Sequence, residues 1–203
     1  MPDTDASPVV DILRAAVPGA TIEALPSVDM PAIVIDREHA LETLTVARDH
    51  ALLQFALLSD VTALDRLPVE PRFEVVYHLV CLGEAFATGT PAPARRLRVK
   101  VRVPGEDPRV TSLVSIYPGA NWPEREVFDL FGILFEHHPD LRRILTPEDW
   151  TGHPLRKDYP VQIRKTAQSW EPIQLSVEEF AENIRRQRAV SEGLARESGP
   201  LGE

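Results

Sequence analysis

The chain has 203 residues, enough for one ordinary domain with a tail or two small domains, and its 43% apolar content suffices for a core built mainly from aliphatics, since aromatics are only 6%. Its 22 basic and 31 acidic residues leave a formal charge of −9, which argues against nucleic acid or anionic lipid as the main partner. One cysteine, Cys81, excludes an internal disulfide framework and any self-contained cysteine cluster for iron–sulfur or zinc.

Residues 1–17 turn from polar to a short apolar helix ended by Pro18-Gly19, and Ala32–Ile35 reads as a strand. Asp36 is placed to cap a helix over 37–49, whose Ala40, Leu41, Leu44 and Ala47 recur with helical spacing. Leu52–Leu64 reads as a strand with a bend, and Pro68 and Pro71 mark a turn. Phe73–Leu82 is a strand with Cys81 as an inert core thiol, and 83–94 is its loop. Leu97–Val103 alternates aliphatic and basic residues, the pattern of a half-buried strand antiparallel to 73–82. A helix is expected from Thr111-Ser112 through Leu113, Val114 and Ile116. A second is expected from Asn121, with Glu124 completing a capping box, with Val127, Leu130, Phe131 and Leu134 on one face, and with Gly132 ending it.

Residues 117–160 are dense in charge, and each charged cluster adjoins large apolar residues such as Trp122, Phe131, Leu145, Trp150 and Leu155. Prolines 139, 147, 154 and 160 stiffen the second half, and Thr146-Pro147-Glu148-Asp149 suggests one capped helical turn. Such a pre-shaped segment suits an interface, or a wrap around the chain's own core. The C-terminal stretch 176–194 opens on a Ser-Val-Glu-Glu capping box and continues as a polar, arginine-rich helical arm with a thin apolar stripe, suited to contacting a partner. The elements together predict an α+β fold with an antiparallel or mixed sheet packed with helices, followed by the proline-stiffened extended segment and the helical arm. The expected division is 1–135 for the globular domain and 136–203 for the docking segment and arm.

Three chemical readings compete with an interface. Glu136, His137, His138 and Asp140 could be metal ligands, but adjacent histidines diverge and the helical His spacing of zinc hydrolases is missing. Glu124 and Glu126 lie on different sides of a helix, which disfavours a shared acid–base task; Arg125 and Asp129, four apart, offer an ion pair. No phosphate loop, nucleophile elbow or dinucleotide fingerprint is present.

Glu124-Arg125-Glu126, two residues, Asp129-Leu130-Phe131, six residues, His138, three residues, then Arg142-Arg143-Ile144-Leu145 resembles the signature of the 30 kDa-type family of C subunits of the proton-pumping NADH–quinone oxidoreductase, respiratory complex I. Ala120-Asn121-Trp122, the run Gly152 to Pro160, and upstream Leu58–Asp65 and Arg72–Tyr77 are similar to that family too, so the likeness spans about 31–160. His137 departs from it, standing where relatives usually carry glycine. The resemblance implies a non-catalytic peripheral-arm subunit that binds no cofactor, with FMN, iron–sulfur clusters, NADH and quinone on other subunits. It also implies a place on the cytoplasmic side of the bacterial membrane, attached only indirectly. Its neighbours would be the D subunit, which helps form the quinone pocket, and peripheral-arm iron–sulfur subunits. The docking residues expected on that basis are Glu124, Arg125, Glu126, Asp129, His138, Asp140, Arg142, Arg143, His153, Arg156, Lys157 and Asp158. An equivalent subunit of a membrane-bound hydrogenase or other quinone-reducing complex would carry the same module.

Overall fold

The computed structural model describes residues 5–83, 94–160 and Glu182. The chain divides by contacts into residues 1–160 and 161–203, so the stretch 136–160 belongs with the first unit. The expected loop tip at 84–93 and, apart from the helical Glu182, the arm over 176–194 lie outside the described residues.

The order is α1 (Ser7–Ala16), β1 (Ile22–Leu25), β2 (Ala32–Ile35), α2 (Ala40–Asp49), β3 (Leu57–Asp65), β4 (Phe73–Cys81), β5 (Arg95–Val103), β6 (Arg109–Thr111), a 3-10 turn (Pro118–Ala120), α3 (Asn121–Phe131) and β7 (Leu134–Glu136). Five strands form a mixed sheet in the order β1-β2-β5-β4-β3, and β6 and β7 form a small parallel pair. The alternation in β5 works as expected: Leu97, Val99, Val101 and Val103 are fully buried, and Arg96, Arg98, Lys100 and Arg102 face the other side. Antiparallel register with β4 sets Val99 opposite Tyr77 and Val101 opposite Val75, joining two aliphatic rows into one core face. α1, α2 and α3 add Leu13, Leu44, Val127 and Phe131 to that cluster. Cys81 is buried in it. On the opposite face the bases of β5 are partly neutralised, by Lys100–Glu74 at 2.7 Å and Arg98–Asp29 at 2.9 Å.

Several expected boundaries differ. α2 begins at Ala40 without a side-chain cap, because the Asp36 carboxylate accepts from Thr21 N (3.0 Å) and bonds His39 Nδ1 instead. β3 begins at Leu57: residues 50–54 form a turn closed by Leu53 N and Gln54 N on His50 O, and Leu53 and Phe55 supply the apolar signal from there. The helix expected from 111 does not form. Arg109–Thr111 pairs with β7, and the chain then makes only one turn, closed by Ile116 N and Tyr117 N on Leu113 O, before the 3-10 turn. Asn121 is itself helical and makes no cap bond, so there is no capping box, and Leu134 lies on β7 rather than on the apolar face of α3. Gly132 ends α3 as expected, with φ +71°.

Candidate functional site

The signature residues lie on α3 and on a strap, residues 137–160, that leaves β7 and runs back along the helix without regular structure. His137 starts it at φ +64°, a left-handed conformation that glycine adopts more readily than histidine.

A helix leaves its last carbonyls without internal partners, and here the strap satisfies them. Beyond the helix's own closing bond from Gly132 N to Phe128 O, His153 Nδ1 bonds Asp129 O at 2.9 Å and Leu155 N donates to Leu130 O at 3.0 Å. Arg156 Nε donates to Phe131 O at 2.5 Å and its Nη2 to Gly132 O at 3.3 Å. A guanidinium at this place also suits the negative end of the helix dipole. Burial lowers the pKa of His153, aided by the Arg143 and Arg156 charges, so the ring is neutral and donates from Nδ1. A Cβ on Gly132 would stand 2.5 Å from the His153 ring and 2.7 Å from Arg156 Nη2, so this glycine serves both the turn and the close approach of the strap.

Asp129 fastens the strap from the helix side. Its carboxylate is fully buried and accepts from the backbone N–H of Ile144 (3.0 Å), Leu145 (2.7 Å) and Thr146 (2.9 Å), from the Thr146 hydroxyl, and from Arg143 Nη1 (2.8 Å). Burial acts to raise its pKa, but the bonds from Thr146, Leu145 and Ile144 overcome that and hold it well below the usual carboxylate range. The ion pair expected between Arg125 and Asp129 is therefore not made. Arg125 turns to Arg142 O (3.1 Å) and Arg143 O (3.5 Å), and its guanidinium lies 4.8 Å from the Trp122 ring centroid. Thr146 is spent on Asp129, and residues 147–150 form a single turn closed by Trp150 N on Pro147 O rather than a capped helical turn.

The far end of the strap is clamped to the β3–β4 hairpin. Asp65 accepts from Arg72 Nε (3.0 Å) and Nη2 (2.7 Å), from Leu67 N (2.9 Å) and from Lys157 N (2.8 Å), while Arg72 reaches Asp158 at 2.9 Å. Burial works against the Asp65 charge, yet these bonds keep its pKa at about 2. Arg72 and Arg156 both lie on the Phe73 ring, at 4.8 and 5.2 Å. Sequence reasoning gave Asp65 and Arg72 no part in the site and read Thr146 as a helix start, since the partners that tie them to the strap or to α3 are 86–92 or 17 residues away.

Glu124 stands apart. It is fully buried between α3 and the loop after β6, accepting from Ser112 Oγ (2.6 Å) and Leu113 N (2.7 Å). Burial, only partly offset by those two bonds, raises its carboxyl to about 7.

The remaining expected residues sit at the surface. Glu126 is exposed and, among the described residues, has no ion-pair partner. The Arg142 side chain is 74% exposed and forks onto Asp140 with two 2.7 Å bonds, and exposed Lys157 reaches Leu67 O. Exposed Trp122, Leu145 and Leu155 accompany them. His138 takes the Asp140 N–H on Nδ1 and bonds Asn121 O through Nε2, so neither ring nitrogen has a lone pair for a metal. Among the described residues no group of three or more His, Cys, Asp or Glu is arranged to hold a metal, and no helix is long and apolar enough to cross a membrane.

Comparison with known proteins supplies the context. Residues 33–165 match the family described as the respiratory-chain NADH dehydrogenase 30 Kd subunit. The chain is 41% identical over 163 residues to the C subunit of NADH-quinone oxidoreductase from Roseiflexus sp. (strain RS-1), covering 80% of this chain and 88% of that one. The same-named protein of Methylobacterium sp. (strain 4-46) is 39% identical over 176 residues, covering 83% and 77%. Among solved structures, the trypsin-resistant fragment (1-134) of Nqo5 is 37% identical with a TM-score of 0.53, covering 66% of this chain and 98% of the fragment. A chain of the membrane-bound sulfane sulfur reductase, an archaeal respiratory membrane complex, shares the fold at 23% identity with a TM-score of 0.62, covering 85% and 96%.

Proposed function

The chain belongs to the 30 kDa family of respiratory-chain NADH dehydrogenase C subunits, and on that premise we propose that it is a non-catalytic docking component of the peripheral arm of a proton-translocating NADH–quinone oxidoreductase. In this role it binds no cofactor, sits on the cytoplasmic side of the membrane beside the quinone-pocket subunit, and supports assembly and electron flow from NADH to quinone on its neighbours.

One observation carries the reading: the signature charges fall into two groups with different tasks. Glu124, Arg125, Asp129, Arg143, His153 and Arg156 are turned inward onto backbone groups or each other, and Asp158 is held by Arg72. All but Glu124, which fixes α3 to the loop after β6, hold an irregular strap in one shape. Glu126, Asp140, Arg142 and Lys157 are then presented outward on it with Leu145 and Leu155. A surface ordered before binding loses little entropy on association, which is what a permanent interface between subunits favours.

Replacing Arg142 and Lys157 together by glutamate in the assembled enzyme tests this. Membranes should show reduced peripheral-arm assembly and reduced NADH–quinone activity, while the isolated chain unfolds at an unchanged temperature. Normal assembly with full activity would remove the docking role.

A further inference from the structure

We infer that Trp122 and Glu126 form a single anchor on α3, which seats the indole in an apolar pocket of a neighbouring subunit and meets a lysine or arginine on that pocket's rim. This anchor rests on the docking role proposed for the chain and is the element that leads it.

The indole is 65% exposed although it stands in the first turn of a well-packed helix. It is also held in place. The Arg125 guanidinium lies 4.8 Å from its centroid, and Arg125 is itself only 9% exposed, fixed by the carbonyls of Arg142 and Arg143. One side of the ring is therefore supported from within the chain and the rest faces outward. An immobilised tryptophan backed by an arginine presents a large apolar area at low conformational cost, the combination that dominates binding energy in protein interfaces.

Glu126 provides an independent pointer to the occupant. It lies four residues on, hence on the same helix face as Trp122, and is exposed. Unlike the neighbouring Asp140, which is satisfied by Arg142, it meets no cation among the described residues. A carboxylate beside an exposed indole, on a chain of net charge −9, complements a basic rim and repels an acidic lipid surface. Among the described residues Glu126 makes no ion pair that supports the fold, and the contact Trp122 makes is with the Arg125 guanidinium. Glu124, on the opposite face, supports the fold at this turn through Ser112 and Leu113.

The test places Trp122→Ala, Glu126→Gln and Glu126→Lys in the full chain of the complete enzyme and follows the share of the chain that co-migrates with the other subunits after mild detergent extraction. Trp122→Ala should weaken incorporation by about 30-fold or more, the equivalent of about 2 kcal/mol. Glu126→Lys should cost more than Glu126→Gln; thermal unfolding of the isolated Glu126 variants should match the parent, and Trp122→Ala should show only the small loss of its Arg125 contact. If Trp122→Ala incorporates like the parent, the anchor is wrong and the docking role stands on the strap alone. If the parent chain never co-migrates with other subunits, the docking reading fails first. A shift of tryptophan emission that Trp122→Ala abolishes, when the isolated chain meets phosphatidylethanolamine–phosphatidylglycerol vesicles, would assign the indole to lipid and overturn the anchor.

Discussion

The Asp129 carboxylate stands 2.8 Å from Arg143 Nη1, across fourteen residues of chain that carry a glycine turn, a strand and the start of an irregular strap. Around this pair the helix and the strap exchange most of their bonds, so its removal is the direct test of what holds the strap.

Asp129→Asn turns an amide N–H₂ toward donors that now converge on a carboxylate, and leaves Arg143 without its counter-charge. Breaking a largely buried pair of this kind costs roughly 3–5 kcal/mol. Urea unfolding of the isolated chain should show that loss, with faster proteolytic cleavage between 138 and 152. An unchanged midpoint would mean that the strap is held elsewhere.

Gly132→Ala places a side chain at φ +71°, where a left-handed backbone costs ~1–2 kcal/mol, and drives its Cβ into His153 and Arg156. Gly119→Ala meets nothing within 4 Å and should change stability by no more than about 0.5 kcal/mol. Thermal melts of the two variants should therefore separate clearly.

Glu124 makes stability fall as the pH rises from acid to neutral. Folding lifts its carboxyl from 4.5 to about 7, so the folded chain holds this proton more tightly than the unfolded one. The contribution is most favourable below about 4.5 and declines until the pH passes about 7, a fall of roughly 3 kcal/mol. Glu124→Gln keeps the shape and removes the ionisation. The difference in unfolding free energy between variant and parent should grow in the variant's favour from pH 5 to pH 8, and a pH-independent difference would refute the assignment.

Asp65 has the opposite sign. Its depressed pKa of about 2 contributes stability above 3.8 that is lost as the pH drops toward 2, about 2 kcal/mol in all. Acid titration of Asp65→Asn, read by tryptophan fluorescence, should show a less stable protein at neutral pH and a shallower loss between pH 4 and pH 2.

Much of the sheet was legible because its signals are local. β5 alternates strictly, β4 is rich in β-branched and aromatic residues, and Gly132 ends a periodic helix. The parallel pairing of β2 with β5 was not legible, since it joins segments more than sixty residues apart through backbone groups that every sequence has. The errors cluster at helix-capping side chains. Asp36 and Thr146 bond distant residues instead, Thr111 lies on a strand, and Asn121 stands inside the helix without a cap bond.

What the amino-acid order determined by itself is the family and the identity of the charged signature, because residue type and spacing are all that such recognition needs. Which of those charges turn inward was decided only in three dimensions. Asp129, Arg143, His153 and Arg156 close on one helix end, and Asp65 meets Lys157 across 92 residues. Local periodicity reports on neighbours up to four residues away, whereas a buried carboxylate takes whichever distant donors the packed chain brings to it.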